Sequence, residues 1–332
     1  MKSVRTNTRR QTVAGNARFA PPKPNGEGGF TLIELLVSMA VILVVSGIVV
    51  GSTMDMTRLG QKMTNRSDMH SGVRNATALL QQEVGQAGRV SLPGLVTLAG
   101  ATGIGTFTVN VNSTVNGNGT PDGMFIGEHL IVDTGATEET VTLTGVGAGT
   151  ITADFAFAHA VGARVQATGG FSAGVVPTTM MNGSSGNVLK IVGDVNGDGR
   201  MVYVEYTCDL ANGWLTRNIM AYDAAVKPPV TVEQILLTNL IANPANAAGV
   251  VPPCFLYQER TFSGTTWVIG VAIMTTVRSQ QRDQNTGDFQ RVTKALLNVS
   301  PRNVVNVWTN ASLGNTNRMQ PLPQTLVDNL LP

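Results

Sequence analysis

The sequence predicts an α+β protein, in which a long N-terminal transmembrane α-helix packs on a C-terminal antiparallel β body with an inserted small β module. One N-terminal stretch is apolar enough to cross a bilayer, and apolar residues then recur at three- and four-residue steps. The remainder alternates β-branched residues with Gly, Asn and Asp turns. Of 332 residues, 42% are hydrophobic and 13% charged, which excludes wholesale disorder, and a single long apolar stretch excludes a multi-span membrane protein.

Residues 1–29 are expected to be a cytoplasmic leader peptide. Pro21, Pro22 and Pro24 exclude a continuous helix, and a basic segment before an apolar one favours the cytoplasmic side. The whole chain has a formal net charge of +2. Without the leader, 17 bases and 20 acids remain, a balance of −3. The leader has one acid, Glu27, and six bases: Lys2, Arg5, Arg9, Arg10, Arg18 and Lys23.

Residues 30–53 are the predicted transmembrane half of the helix. The run from Leu35 to Met54 has no charged residue and would form about 30 Å of helix, enough to span a bilayer. Glu34 lies at the start of this run. A carboxylate at the centre of a membrane helix costs roughly 2.5–3.5 kcal/mol, so Glu34 is expected to have a partner. A secretory signal peptide is the alternative, but no small-residue cleavage site follows the apolar run promptly.

Residues 54–88 are the predicted amphipathic half of the same helix. Gly88 provides a C-terminal cap position, and Pro93 prevents continuation. One apolar stripe is expected to face the β body, formed by Leu59, Met63, Val73, Ala76, Leu80, Val84 and Ala87.

Residues 95–168 are predicted to be the inserted β module, because short β-branched segments follow one another between turns. The module has a single base, Arg164, so its surface is a poor match for nucleic acid and none is expected as a partner. Its six acids are Asp122, Glu128, Asp133, Glu138, Glu139 and Asp154. Residues 127–165 resemble small β modules of bacterial and phage surface proteins.

Residues 169–332 are predicted to form the β-rich body. Strand patterns follow a Gly/Ser-rich spacer. Residues 231–243 fit either a short helix or a strand–loop pair, and periodicity does not separate the two.

One motif in the body fits a calcium-binding loop, D-x-[DN]-x-[DN]-G-x5-E. Hard oxygen ligands suit Ca²⁺, and here they would come from Asp194, Asn196, Asp198, the Arg200 carbonyl and Glu205. The flanking segments have strand patterns rather than the helices of an EF-hand. A plain Asn/Asp/Gly hairpin turn is therefore the alternative. No cofactor is required, and Ca²⁺ is a possible one.

The two cysteines, Cys208 and Cys254, lie 46 positions apart without a Cys/His cluster. A zinc site is improbable on that spacing. In an exported protein a disulfide is the leading interpretation, and two small buried apolar residues are the alternative.

Catalysis is not predicted. The three histidines His70, His129 and His159 are dispersed, and each is interpreted as a surface or packing residue. The sequence has no G-x-S-x-G, P-loop or H-E-x-x-H motif.

A specific family resemblance lies in residues 28–37, GGFTLIELLV. This segment resembles the N-terminal cleavage and methylation signal of type IV pilins and pseudopilins. The resemblance implies cleavage by a prepilin peptidase after Gly29, N-methylation of Phe30, and a role in assembly for Glu34, the fifth residue of the mature chain. In a filament the Glu34 carboxylate would pair with the amine of a neighbouring subunit's Phe30, since a buried charge is tolerated only with its partner present.

Two further segments, residues 80–90 and 203–217, resemble minor pilins of the PilW type. The implied function is a minor type IV pilin that assembles into or initiates a pilus through its N-terminal helix. The implied location is the bacterial inner membrane, as a single-pass protein, and then the periplasm and a cell-surface pilus. The alternatives are a minor pseudopilin of type II secretion and, from another class, a signal-anchored Ca²⁺-binding adhesin.

Overall fold

The computed structural model describes residues 29–283 and 286–332, so the predicted leader lies outside the described residues except for Gly29. The chain divides after Arg58 into two compact units. A long apolar helix followed by a β-rich body confirms the predicted α+β class.

Helix α1 (Leu32–Gln86) is one continuous element of 55 residues. It ends where Gly88 takes up the left-handed conformation, with φ of 81°. The Gly88 N–H donates to the carbonyl of Val192 over 2.8 Å. A Cβ atom at position 88 would lie 2.8 Å from Val304 Cγ2, so both conformation and space require glycine here.

The stripe that α1 buries is shorter than predicted. Its buried apolar residues begin at Val73, whereas Leu59 and Met63 are 53% and 62% exposed. Met69 is the first residue of the helix that packs against the core of the body. The predicted stripe is therefore wrong over Leu59 and Met63, because the apolar core of the sheets begins to cover α1 only at about Met69.

The module between α1 and the body is a closed six-stranded barrel in the order β1-β2-β5-β4-β3-β6. Every neighbouring pair is antiparallel, and β1 closes the barrel on β6. Closure leaves no unpaired sheet edge. The inward residues form a core of their own, separate from that of the body. The strands are β1 (Val96–Leu98), β2 (Gly105–Asn112), β3 (His129–Val132), β4 (Glu139–Gly147), β5 (Thr150–Phe155) and β6 (Arg164–Ala167).

A buried histidine contacts two carboxylates at the connection of β3 and β4 in the barrel. His159 Nδ1 lies 3.1 Å from Asp133 Oδ2, and its Nε2 lies 2.7 Å from Glu139 Oε1. The ring also packs edge-on against Phe155. His159 is thus a packing residue that holds two carboxylates at one end of the barrel.

Glu128, in contrast, is buried in the barrel without a charged partner. Its Oε2 accepts a hydrogen bond from the Phe125 N–H over 3.3 Å, and its Oε1 has no partner among the described residues. Burial raises the pKa of this carboxyl well above its usual value. Burial therefore favours the neutral acid over the carboxylate at this position.

We expect Glu128→Gln to be more stable than the parent protein, and the difference to grow as the pH rises. An acid whose pKa is raised in the folded state stabilises the fold below its unfolded pKa, near 4.3, and loses that contribution as pH rises toward the folded pKa. Because glutamine does not ionise, Glu128→Gln does not lose stability in this way as the pH rises. Thermal unfolding at acidic and at alkaline pH measures it, with exposed Glu138→Gln of the same barrel as control. Equal pH profiles for parent and Glu128→Gln would contradict the neutral-acid assignment.

The body consists of two four-stranded sheets that pack against α1 from about Met69 onward. One sheet has the order β11-β10-β9-β8; in the other, β14 pairs with β12, β13 and β15. Residues of α1 and of both sheets share one core. In chain order the strands are β7 (Gly170–Phe171), β8 (Val188–Gly193), β9 (Val202–Asp209), β10 (Trp214–Ala221), β11 (Ile235–Leu237), β12 (Leu240–Ile241), β13 (Phe255–Phe262), β14 (Thr265–Arg282) and β15 (Phe289–Val299).

Residues 231–243 combine both predicted alternatives. A single 3₁₀ turn, Val232–Gln234, is followed by β11 and β12. Thr231 and Gln234 form a reciprocal capping box at the start of the turn.

The C-terminal part adds two helices and one parallel strand pair to the predicted antiparallel β body. Two helices follow β15: α2 (Arg302–Ser312) and, near the end, α3 (Gln324–Asn329). Between them β16 (Met319–Gln320) pairs with β7 in parallel. Helix α2 packs Val304, Val307 and Ala311 against the buried Trp267.

Candidate functional site

The N-terminal end of α1 is organised by Thr31. Its carbonyl accepts hydrogen bonds from the N–H groups of Glu34 and Leu35, over 3.0 and 3.1 Å. Its Oγ1 accepts from the Glu34 N–H over 3.3 Å, which makes Thr31 the N-cap residue. The cleavage position, Gly29 and Phe30, therefore lies in an exposed non-helical segment directly before the helix. The T-x-x-E spacing of residues 31–34, typical of a capping box, is a sequence signal for this start that was not used in the prediction.

Glu34 lies in the first turn of the helix, among exposed apolar side chains. Its neighbours Leu32, Ile33 and Leu35 are 80%, 68% and 55% exposed. The most apolar window of α1 is not buried at all within the protein. In the described part of the chain, the Glu34 carboxylate has no hydrogen bond or ion pair. A carboxylate in this setting needs a partner from beyond the described residues.

The turn between β8 and β9 contains the predicted calcium ligands and is arranged around Asp194. Asp194 is fully buried. Its Oδ1 accepts from the N–H groups of Gly197 and Asp198, and its Oδ2 from Gly199 and the Ser91 hydroxyl, over 2.8–3.2 Å. The carboxylate is thus saturated by the turn that it caps, as in an Asx turn. Asn196, Asp198 and Arg200 are exposed on the same turn.

Glu205 belongs to a different cluster. It lies on β9, opposite Lys190 of β8, three residues beyond the start of the strand. Its Oε2 accepts from the Tyr203 hydroxyl over 2.7 Å and from Lys227 Nζ over 3.0 Å. Lys190 Nζ is 3.8 Å from the same oxygen. Among residues 29–283 and 286–332, no group of three or more His, Cys, Asp or Glu side chains is placed to hold a metal. Asp194 and Glu205 thus belong to two separate clusters, and this geometry favours the polar turn.

We therefore expect millimolar Ca²⁺ to leave the thermal unfolding of the protein unchanged. Asp194→Asn should lower the free energy of unfolding by roughly 1–3 kcal/mol with or without calcium, because it weakens a buried carboxylate that accepts from three N–H groups of the turn. Asp198→Asn, which alters an exposed acid of the same turn, serves as the control. A calcium-dependent rise in Tm that disappears in Asp194→Asn would instead identify a calcium loop.

Cys208 and Cys254 are joined in a disulfide, with their Cα atoms 6.6 Å apart. Cys208 lies on β9, and Cys254 directly precedes β13. Both residues are buried. The bond therefore connects the two sheets of the body.

Comparison with known families gives one match. Residues 24–50 match the model of the prokaryotic N-terminal methylation motif. No curated protein matches the chain. No solved structure matches it either.

The motif, with the long apolar helix that follows it, indicates a type IV pilin- or pseudopilin-like subunit. Such a motif implies processing by a prepilin peptidase and assembly with other pilins. The apolar helix is compatible with anchoring in a membrane before that assembly.

Proposed function

We propose that this chain is a minor pilin: a structural subunit that is cleaved after Gly29, N-methylated on Phe30, and incorporated into a type IV pilus in few copies. The observation that carries the proposal is Glu34, a carboxylate without a partner among residues 29–283 and 286–332, in the first turn of an exposed apolar helix and five residues beyond Gly29. A membrane anchor has no use for such a carboxylate. An assembling helix uses it to pair with the amine of a neighbouring subunit.

The size of the chain supports a minor rather than a repeating subunit. After cleavage 303 residues remain, and they include a complete inserted barrel beside the body. A repeating subunit of this bulk would crowd a filament of closely packed helices. The PilW-type resemblance of residues 80–90 and 203–217 points the same way.

The test is mass spectrometry of sheared surface filaments from cells that express the protein. A peptide starting at methylated Phe30 establishes both processing and assembly. Gly29→Val should block cleavage, whereas Glu34→Ala should be cleaved and methylated yet be absent from filaments. Asp55→Ala is the matched control, since it removes an exposed acid of the same helix beyond the apolar run.

Three other outcomes would reject the minor-pilin assignment. Incorporation of Glu34→Ala at the parent level would remove the basis of the proposal. Retention of the parent protein in the membrane, with none in filaments, would identify an anchored adhesin. Loss of secreted enzymes, rather than of pili, on deletion of the gene would identify a pseudopilin of type II secretion.

A further inference from the structure

Two arginines lie over one aromatic ring near the end of the hairpin formed by β14 and β15, and a third arginine shares their sheet face. The Cζ atoms of Arg278 and Arg282 lie 4.8 and 4.9 Å from the centroid of the Phe289 ring. Arg291 lies directly opposite Arg278 in the antiparallel pair, so both side chains share one face. All three arginines are exposed. We call these four residues the Arg–Phe cluster.

The cluster is not neutralised by the protein. In the described part of the chain, no carboxylate lies within ion-pair distance of the three guanidinium groups. Asp283, in the hairpin turn, forms a 2.7 Å ion pair with Lys62 of α1. Asp288 is exposed in the same turn, and Asp68 lines the groove beside Arg278.

Two like charges directly opposite each other in a sheet are destabilising on their own. Arg278 and Arg291 form such a pair. An anion placed over this face would turn the repulsion into attraction, because guanidinium groups bind phosphate oxygens with two parallel hydrogen bonds.

We propose that the Arg–Phe cluster binds the anionic headgroups of the bilayer in which α1 is inserted. This rests on the proposed function, since it takes the protein as membrane-inserted before assembly. The anchor supplies the preference for a bilayer over a soluble phosphate compound, because it keeps the body at a high effective concentration near the surface. Lys62, which holds the hairpin turn through Asp283, follows the last residue of the uncharged run, Met54, by eight positions.

The experiment is deuterium exchange of the full-length protein in vesicles of phosphatidylcholine, with or without phosphatidylglycerol. Exchange at the hairpin end requires local opening, and headgroup binding opposes that opening. Amides of residues 278–291 should exchange on the order of tenfold more slowly in the anionic vesicles, and high salt should abolish the difference. Flotation of the same vesicles verifies insertion, independently of whether the protein enters pili.

Arg278→Gln/Arg291→Gln should insert normally and lose the difference between the two vesicle types. Arg260→Gln/Arg302→Gln removes the same charge from exposed positions elsewhere in the body. This control should keep the difference in exchange between the two vesicle types. Equal exchange of the inserted parent protein in both vesicle types would overturn the proposal. If inorganic phosphate slows exchange of the same amides in phosphatidylcholine vesicles as much as phosphatidylglycerol does, the cluster binds a soluble anion instead. Protection there by a single-stranded oligonucleotide alone would reassign it to nucleic acid.

Discussion

Glu83→Ala should destabilise the body by about 3–5 kcal/mol, because it leaves a largely buried charge without its partner. Glu83 lies on α1 and is 2% exposed. Its carboxylate accepts two hydrogen bonds from Arg217 Nε, over 3.0 and 3.2 Å, and a further one from Nη2 of the same residue. It also accepts from the Tyr206 hydroxyl over 2.5 Å. One side chain thus joins the helix to β9 and β10.

Burial, and then the charge of Glu83, raise the pKa of the Tyr206 phenol, so this hydroxyl remains a donor over the whole physiological range. In Glu83→Ala both donors lose their acceptor, and the guanidinium group of Arg217 remains mostly buried. Urea unfolding followed by tryptophan fluorescence measures the loss, since Trp214, Trp267 and Trp308 all lie in the body.

Two further variants separate the charge from the space that the side chains fill. Glu83→Met/Arg217→Met should recover most of the stability lost in Glu83→Ala, because a well-packed apolar pair replaces a buried ion pair at little cost. Asp55→Ala breaks the exposed pair with Arg58 on the same helix and should change the free energy of unfolding by less than about 1 kcal/mol. A loss in Glu83→Ala no larger than in Asp55→Ala would show that the pair does not hold the helix to the sheets.

The contribution of Glu83 was not predictable from the sequence. Residues 80–86 contain Leu80 and Val84 at helical spacing, and the same pattern places Glu83 beside this apolar stripe. Whether a glutamate at such a position faces solvent or a partner depends on what the opposite surface offers. Here that surface is Arg217, 134 positions away. Local periodicity identified the helix, but it carries no information on a contact over that separation.

The same limit explains the barrel and its buried groups. Alternation of β-branched residues predicted β segments over residues 95–168. Closure of the barrel depends on the pairing of β1 with β6, and local alternation does not determine the register of that pair. His159, between β5 and β6, meets Asp133 and Glu139 of the β3–β4 connection at the same end of the barrel. Helix α2 is different, because Val304, Val307, Trp308 and Ala311 recur at helical spacing after Pro301. That signal was present in the sequence and was not used.

The spacing of the calcium motif does not by itself fix where its residues lie when the backbone is extended. In an EF-hand the twelfth residue returns to the ion because a helix begins within the loop. In this protein β9 begins at Val202, and each residue of a strand advances about 3.3 Å. Glu205 is thereby carried away from Asp194 and into contact with Lys190 and Lys227. The family motif at residues 28–37 is more reliable, since its residues act locally and need no long-range register.

Removal of the disulfide, in Cys208→Ala/Cys254→Ala, should lower the free energy of unfolding by about 4 kcal/mol. This is the chain-entropy cost expected when the unfolded state regains a loop closed over 46 positions. The bond joins β9 of one sheet to the segment before β13 of the other, and the only other covalent connection between these points is that loop. Both alanines fill buried positions without leaving an unpaired polar group.

A reductant provides the matched control, because it breaks the same bond without changing a side chain. Dithiothreitol should lower the urea midpoint of the parent protein towards that of Cys208→Ala/Cys254→Ala, and should leave the variant unchanged. Each single variant should match the double variant, since either one abolishes the bond. A reductant effect on the variant would show that the loss has another origin. A parent protein that unfolds at the same urea concentration with and without reductant, although its thiols have become reactive, would show that the two sheets are held together by packing alone.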